Sequence, residues 1–406
     1  MSVLNTLRER GFVAQMTHPE ELERLFSEGE VVFYNGYDPT ADSLTIGHFL
    51  TFMAIKHMQA AGHIPIILLG GGTGMVGDPD KPDSMRPLMT IEEIDKNIEN
   101  FRLQAEKFID FSDGKAILVN NGDWLRKLNY VEFIRDYGIH FSENRMLSHE
   151  KYKMKFEGGG LNFFELNYEV MQAYDFLELN RRYGCVLQTG GSDQWSNILS
   201  GVELIRRLES KPAYGLTFNL LSRSDGQKMG KTSKGAIWLS AEKTSPYDFY
   251  QYFRNTHDAD VETYLKLMTF LPLDQIHSLT NMEGEGINYA KEVLAYEITK
   301  IVHGEEEAEK SKEAGRKLFS GGLSEDAPTT KIAKQDYSQG IDILSALNLC
   351  GLAGSNSEGR RLVSSNAVSV AGEKIGSHEH IISSSELAKG VLIQKGKKAF
   401  HKIAYD

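Results

Sequence analysis

Three groups of residues in this chain have the types and spacing needed to hold a phosphorylated substrate. Thr40, Thr45 and His48 follow a short apolar run at 31–34 that breaks at Asn35-Gly36. If that run is a strand and a helix starts at Asp42-Ser43, with its apolar spacing kept from Gly47 onward, the three side chains surround a helix N-terminus. Unpaired N–H groups and the helix dipole favour anions there. Tyr34 and Asp38 then line the crevice beside it. The second group is Lys228 and Lys231, three apart in a glycine-bounded loop. Mobile paired ammonium groups can follow charge developing on a leaving pyrophosphate; taken alone, such a pair is ordinarily a surface turn. The third group is Tyr168, Gln172 and Asp175, spaced by four and three and so on one helix face. Polar clusters on helices are most often solvated, but Met171, Phe176 and Leu179 mark this helix as largely buried.

The elements that must position these groups follow from periodicity. Phe49, Leu50, Met53, Ala54 and Met58 keep helical spacing, Gly62 supplies a C-terminal cap, and the apolar run 64–69 closes a strand–helix–strand unit. Further strands are expected at 116–119, 185–188 and 216–221. Strands alternating with helices up to that point predict an α/β, doubly wound parallel sheet of Rossmann-like type. Residues 1–30 read as one or two helices before the first strand, and 124–184 as helical with an interruption at 151–160. Gly72, Gly74 and Gly77 have dinucleotide-motif spacing, yet Pro79, Pro82 and Pro87 forbid the helix that must open inside such a motif. A backbone-crowded substrate loop ending at Asp78 fits better. Beyond Ser245-Pro246 the strands stop. The expected division is 1–223 as a catalytic domain with a helical insertion, 224–319 as the lysine loop and an α-helical domain, 320–336 as a linker, and 337–406 as a small α+β module. That last module carries helical patterns at 340–350 and 357–365 and strands at 367–370 and 390–394.

Composition narrows the class. The 406 residues are 41% hydrophobic and 25% charged, with no run near the roughly 20 apolar residues that span a bilayer. The opening residues mix acids and bases and lack the apolar core of a secretory signal. Cys185 and Cys350 lie far apart, with no metal-ligand spacing, so a reduced, cytoplasmic context and no metal site are expected. The net charge of −11 argues against a generally basic nucleic-acid binder. Residues 337–406, however, hold eight Lys/Arg against six Asp/Glu, four of the eight between Lys395 and Lys402. A basic tail on an acidic body is compatible with RNA binding, and equally with a solvated lysine-rich end.

The T-I-G-H stretch ending at His48, taken with Lys228-Met229-Gly230-Lys231-Thr232, resembles the class I aminoacyl-tRNA synthetases. Their signatures are a HIGH-type motif after the first strand and a KMSKS-type loop after the last. Three further motifs, Tyr34 to Thr40, Tyr168 to Asp175 and Gln188 to Trp195, narrow the resemblance to the bacterial tyrosyl-tRNA synthetases, and the C-terminal segment resembles an S4-like RNA-binding domain. The resemblance implies a tyrosine–tRNA ligase working on ATP with Mg2+, L-tyrosine and tRNA(Tyr), as a homodimer with no membrane association. It assigns the substrate phenol to Tyr34 and Asp175, and the ammonium to Tyr168, Gln172 and Asp78. The carboxylate falls near Gln194, with Asp38 and Gln188 lining the same pocket. ATP is assigned to Gly36, Gly47, His48, Gly191, Asp193 and Lys231. Charge stabilisation falls to Thr40, Thr45, His48, Arg86, Lys228 and Lys231. The stretch 130–141 is the candidate dimer interface, with an internal core helix as its alternative.

The chain departs from the family pattern in three places. Thr45 stands at the first HIGH position, Gly230 replaces the KMSKS serine, and Pro82 sits where a basic residue is frequent, with Lys81 as its substitute. Two alternatives carry different expectations. A tryptophanyl relative would offer an apolar, indole-sized pocket in place of Tyr34 and Asp175. A non-catalytic RNA-binding scaffold would tolerate loss of Lys231.

Overall fold

A computed structural model describes residues 2–79, 87–158, 160–220, 224, 226, 229–232, 235–282, 285–319, 328–396 and 399–406. The described chain forms two compact units, one of residues up to Lys243 together with Glu262–Ser278, the other of Thr244–Val261 and the chain from Leu279 onward.

The first unit is built on a six-stranded sheet of β1 (Val13–Met16), β2 (Val32–Tyr37), β3 (Ile64–Leu69), β4 (Ile117–Asn120), β5 (Leu187–Gly191) and β6 (Tyr214–Phe218). The strand order is β1-β6-β5-β2-β3-β4. All neighbours are parallel except the edge pair β1 and β6. The chain lays β3 and β4 on one side of β2 and β5 and β6 on the other. The order therefore reverses between β2 and β5, and in doubly wound sheets ligands bind at the strand C-termini beside such a reversal. Tyr34 lies between Ile66 and Gln188 in the register, which puts the ends of β2 and β5 side by side at that crevice.

Helices α1 (Val3–Arg10), α2 (Pro19–Glu28), α3 (Ile46–Ala60) and α4 (Ile91–Ala105) come before β4. Eight of the fifteen residues of α3 are buried apolar side chains, so the helix is held by burial nearly all round its surface. Between β4 and β5 run α5 (Gly122–Leu125), α6 (Tyr130–Asp136), α7 (Glu143–Ser148), α8 (Glu150–Glu157) and the 21-residue α9 (Phe163–Tyr183). Asn162 caps the start of α9 by accepting from the Glu165 N–H at 3.0 Å, and Gly184 ends it in the left-handed region at φ 65°. Helix α10 (Trp195–Glu209) packs along α9. A two-stranded ribbon, β7 (Lys231–Thr232) and β8 (Gly235–Ala236), follows β6.

Five expectations need correction. The helix after β2 opens at Ile46 behind its N-cap Thr45, not at Asp42-Ser43. The expected linker at 320–336 contains a strand, Thr329–Ile332, that pairs into the C-terminal sheet. The first strand is β1, not the run after residue 30; its four residues are only partly buried and pair antiparallel on the sheet edge. Strand β2 does not break at Asn35-Gly36 but continues to Tyr37, paired with β3 throughout. The expected interruption at 151–160 is largely the helix α8.

In the second unit, Ser245 caps helix Pro246–Arg254, which packs with helices Glu285–His303 and Glu305–Phe319. Its C-terminal part has helices at Ile343–Leu349 and Asn356–Ser364 and a five-stranded sheet. Ile343, Leu347, Val363, Val368, Ile393 and Ile403 lie in its core. Two of the sheet's strands, Thr329–Ile332 and Ala399–Tyr405, are parallel partners that periodicity does not reveal. Among the described residues no helix is long and apolar enough to cross a membrane.

Candidate active site

Residues of the central strands β2 and β5 set the site. Tyr34 is 1% exposed, packs its ring 5.3 Å from that of Phe176, and presents a buried hydroxyl with no hydrogen-bond partner among the described residues. Burial and the nearby Asp175 both raise the pKa of this phenol. Gln188, on the neighbouring strand, likewise holds a buried Oε1 without a partner. Buried polar atoms are satisfied in the great majority of cases, so two unpaired ones on directly paired residues of adjacent strands mark a ligand position.

Asp175, on α9, is also 1% exposed. Its two oxygens accept from Trp124 Nε1 at 2.7 Å and from Asn121 Nδ2 at 2.8 Å. Burial pushes the carboxyl up to about 8; the two donors pull it back, while Asp38 and Glu178 push it further up. Neither Asn121 nor Trp124 could be assigned from sequence. They sit just past β4, and only the sheet order carries them under α9.

A second chain of bonds runs from Asp175 towards the loop after β3. Asn121 Nδ2 donates to Thr73 Oγ1 at 2.9 Å, and the Thr73 hydroxyl donates to Asp38 Oδ1 at 2.7 Å. Tyr168 donates from the same helix as Asp175 to Asp38 Oδ2 at 2.8 Å. Gly70 makes this approach possible, because a Cβ there would overlap the Asp38 carboxylate. The loop itself contains a single 3-10 turn, Thr73–Met75, and not the opening of an α-helix.

Asp78, Gln172 and Gln194 meet in a third cluster, together with two residues that sequence reasoning missed. Gln194 Nε2 lies 2.8 Å from Asp78 Oδ2 and 2.9 Å from Asp193 Oδ2. Lys151 Nζ, from α8, donates to Asp78 Oδ1 at 2.7 Å and to Asn197 Oδ1 at 2.9 Å. Asn197 Nδ2 donates to Gln172 Oε1 and Gln194 Oε1 at 2.9 and 3.0 Å.

The anion side is built on the start of α3. Thr45 is its N-cap residue, and the Thr45 backbone N–H donates to His48 Nδ1 at 3.0 Å, with Thr45 Oγ1 at 3.2 Å from the same nitrogen. An Nδ1 that accepts leaves the imidazole proton on Nε2. Burial pushes the His48 pKa down to about 4, so the ring stays a neutral N–H donor at physiological pH. Edge contacts from Tyr37 and Phe101, with centroids 5.9 and 5.7 Å away, fix its plane. Gly47 and Thr40 are exposed at the same end, as is Gly36 on β2. The Ile46 N–H donates to the Ile237 carbonyl at 3.1 Å, which ties the start of α3 to the segment after the lysine loop. Gly230 adopts φ 82°, and a Cβ there would overlap Ile46, so a serine at this position would be strained. Gly191 is the last residue of β5, and Asp193 lies in the 3-10 turn that follows it. Arg86 and Lys228 lie outside the described residues; for Lys231 only the backbone, in β7, is described.

The family model for class I tRNA synthetases (W and Y) matches residues 27–320, and that for the tyrosine–tRNA ligase SYY-like C-terminal domain matches 319–403. The tyrosine–tRNA ligase of Lachnoclostridium phytofermentans is 55% identical over 403 residues, covering 98% of both chains. That of Caldanaerobacter subterraneus is 53% identical and covers 99% of both. Among solved structures, a C-terminally truncated mitochondrial tyrosyl-tRNA synthetase of Aspergillus nidulans superposes with a TM-score of 0.70 at 31% identity, covering 78% of this chain and 94% of that one. With the family model spanning most of the chain and relatives above half identity end to end, the chain belongs to the class I aminoacyl-tRNA synthetases and, within them, to the tyrosine–tRNA ligases.

Proposed function

We propose that the site activates L-tyrosine with ATP and passes the tyrosyl group to the 3′ end of tRNA(Tyr). The observation that carries the tyrosine assignment is the buried, unpartnered Tyr34 hydroxyl beside an Asp175 carboxylate whose oxygens are held in place by Asn121 and Trp124. A phenol hydroxyl placed there completes Tyr34, whereas phenylalanine leaves it unpaired. Tyrosyl-tRNA synthetases are the standing example of such selectivity.

In the first step the tyrosine carboxylate attacks the α-phosphorus of ATP, a P–O bond forms, and pyrophosphate leaves with the electron pair of the broken bond. The carboxylate is already ionised, so no side chain need act as base. The protein supplies position and charge. Asp78, Tyr168 and Gln172 take the amino acid's ammonium, while Asp38, Gln188 and Gln194 line the pocket. His48 offers its Nε2–H to the phosphates at the α3 N-terminus beside Thr40, Thr45 and Gly47. Asp193 takes the ribose with Gly36 and Gly191, and Lys228, Lys231 and Arg86 carry the pyrophosphate charge. Mg2+ enters with the nucleotide. A ribose hydroxyl of the tRNA then attacks the tyrosyl carbonyl and releases AMP.

We assign residues 1–223 to the chemistry, 224–319 to the lysine loop and helical domain, and the C-terminal module, whose sheet takes in Thr329–Ile332 as well as strands within 337–406, to RNA, in a cytoplasmic homodimer. Amino-acid-dependent ATP–pyrophosphate exchange tests the reading. Exchange should require tyrosine, be far weaker with phenylalanine, and fall by orders of magnitude in Lys231→Ala with tRNA binding retained. Absence of exchange with every amino acid would sink it.

A further inference from the structure

Lys151 and Asn197 are the groups in the third cluster to which the reading above gives no task, and Lys151 alone of the two is charged. Its ammonium lies 2.7 Å from Asp78 Oδ1 and 2.9 Å from Asn197 Oδ1, and Asn197 in turn holds Gln172 Oε1 and Gln194 Oε1. The side chains of Lys151 and Asp78 are only 19% and 13% exposed, so solvent screens the pair weakly. Asp78 and Gln172 are two of the three groups assigned to the substrate ammonium. One is bonded to a lysine ammonium, and the other to the amide that lysine anchors.

We propose that Lys151 is a built-in stand-in for the amino acid's ammonium, occupying the cation subsite of the substrate-free enzyme until tyrosine displaces it. This rests on the assignment of Asp78 to the substrate ammonium. The chemistry is an exchange of like for like. A primary ammonium with three donors is replaced by another, so the Asp78 carboxylate is never left near-buried without a counter-charge. The exchange also sharpens specificity. A ligand must bring its own cation to be worth more than the lysine already present, so a tyrosine-shaped acid without an amine gains nothing by expelling Lys151. The Lys151 side chain must swing out of the subsite when the amine enters.

The test is calorimetric titration, without ATP, of L-tyrosine and of 3-(4-hydroxyphenyl)propionic acid, which lacks the amine. Lys151→Met removes the competing cation and should tighten L-tyrosine by about three- to ten-fold, the factor expected when a site is freed from a conformation that blocks it most of the time. The same variant should weaken the deamino acid, because Asp78 then faces it with no cation. Lys151→Arg, which keeps the charge, should hold the wild-type ratio of the two affinities. A purely structural ion pair would move both ligands in the same direction, or neither, and either result overturns the proposal. Asp78→Asn separates the two layers. If it leaves the preference for tyrosine over the deamino acid intact, the ammonium assignment itself fails and the proposal with it. If it abolishes that preference while Lys151→Met changes nothing, the assignment stands and only the proposal falls. A measurement on the unaltered enzyme guards against a variant that folds poorly. The rate at which an amine-reactive acylating reagent modifies Lys151, read by mass spectrometry, should rise on adding saturating L-tyrosine and not on adding the deamino acid. An unchanged rate with both overturns the proposal.

Discussion

Tyr34 keeps a hydroxyl at 1% exposure with no partner among the described residues, and that arrangement costs stability in the substrate-free protein. An unsatisfied buried hydroxyl is unfavourable by about 1–3 kcal/mol. Tyr34→Phe removes it without changing the packing against Phe176, so thermal or chemical denaturation should find the variant more stable by about 1 kcal/mol. Exchange assays on the same protein should show discrimination against phenylalanine sharply reduced. A variant less stable than wild type would mean that the hydroxyl is satisfied in solution. Asp175 makes a prediction in pH. Its carboxyl titrates near 8 in the folded protein because burial disfavours the charge, and near 4 in an unfolded chain. Between those values the folded state holds a proton that the unfolded state has released, so stability must fall as pH rises, by up to about 1.4 kcal/mol per unit. Denaturation of wild type and Asp175→Asn from pH 5 to pH 8 should show the wild-type curve declining relative to the variant. Parallel curves would place the Asp175 pKa in the ordinary range. Tyr34 and Asp175 could be singled out in the sequence because each sits in a patterned element, a strand end and a helix face. Asn121, Trp124, Lys151 and Asn197 could not, since what makes them matter is which element lies opposite, and that is decided by strand order.

At the scale of elements, the start of α3 depends on a glycine far away in sequence. Gly230 is in the left-handed region and leaves no room for a Cβ beside Ile46, the first residue of α3 and two before His48. Gly230→Ala should cost about 1–2 kcal/mol for the backbone alone. It should also shift the helix start, raising KM for ATP in the exchange assay while the Kd for tyrosine, read at the other end of the crevice, stays put. Equal effects on both substrates would argue that the loop is not coupled to the phosphate side. The unit β2–α3–β3 was legible because its period switches from apolar run to helix and back, with Gly62 at φ 91° closing the helix as expected. Elements without such a switch were not. Strand β1 has four residues with one face on the sheet edge, so it lacks both the length and the alternation that mark a strand. Helix α8 was hidden for a different reason. It buries charge, pairing Lys155 with Glu165 at 2% and 3% side-chain exposure, so its inner face reads as polar and the glycines at 158–160 read as part of the break.

At the scale of the molecule, α6 and the turn after it face two ways. Phe133 points into the core beside Tyr137 and Tyr174, while Tyr130, Val131 and Ile139 are 63%, 71% and 76% exposed. Neither side of the sequence alternative for 130–141, interface or internal helix, describes the whole stretch, because one face is core and the other is bare. Large apolar side chains left in water on one surface favour covering, and each aliphatic or aromatic group fully buried contributes about 1.5–3 kcal/mol. In a two-fold dimer every such residue counts twice, because the same patch lies on both subunits. A charge introduced there is likewise doubled, once on each subunit. Val131→Asp combined with Ile139→Asp should therefore convert the protein to a monomer in sedimentation equilibrium at micromolar concentration. The substituted side chains lie outside the core, so its far-ultraviolet circular dichroism should be unchanged. If tRNA binds across two subunits, aminoacylation by that variant should collapse, whereas tyrosine-dependent pyrophosphate exchange, for which the proposed residues lie in one chain, should be affected far less. A double variant that still sediments as a dimer would move the interface elsewhere on the surface. One that loses exchange and aminoacylation in equal measure would show that the single chain's site is incomplete.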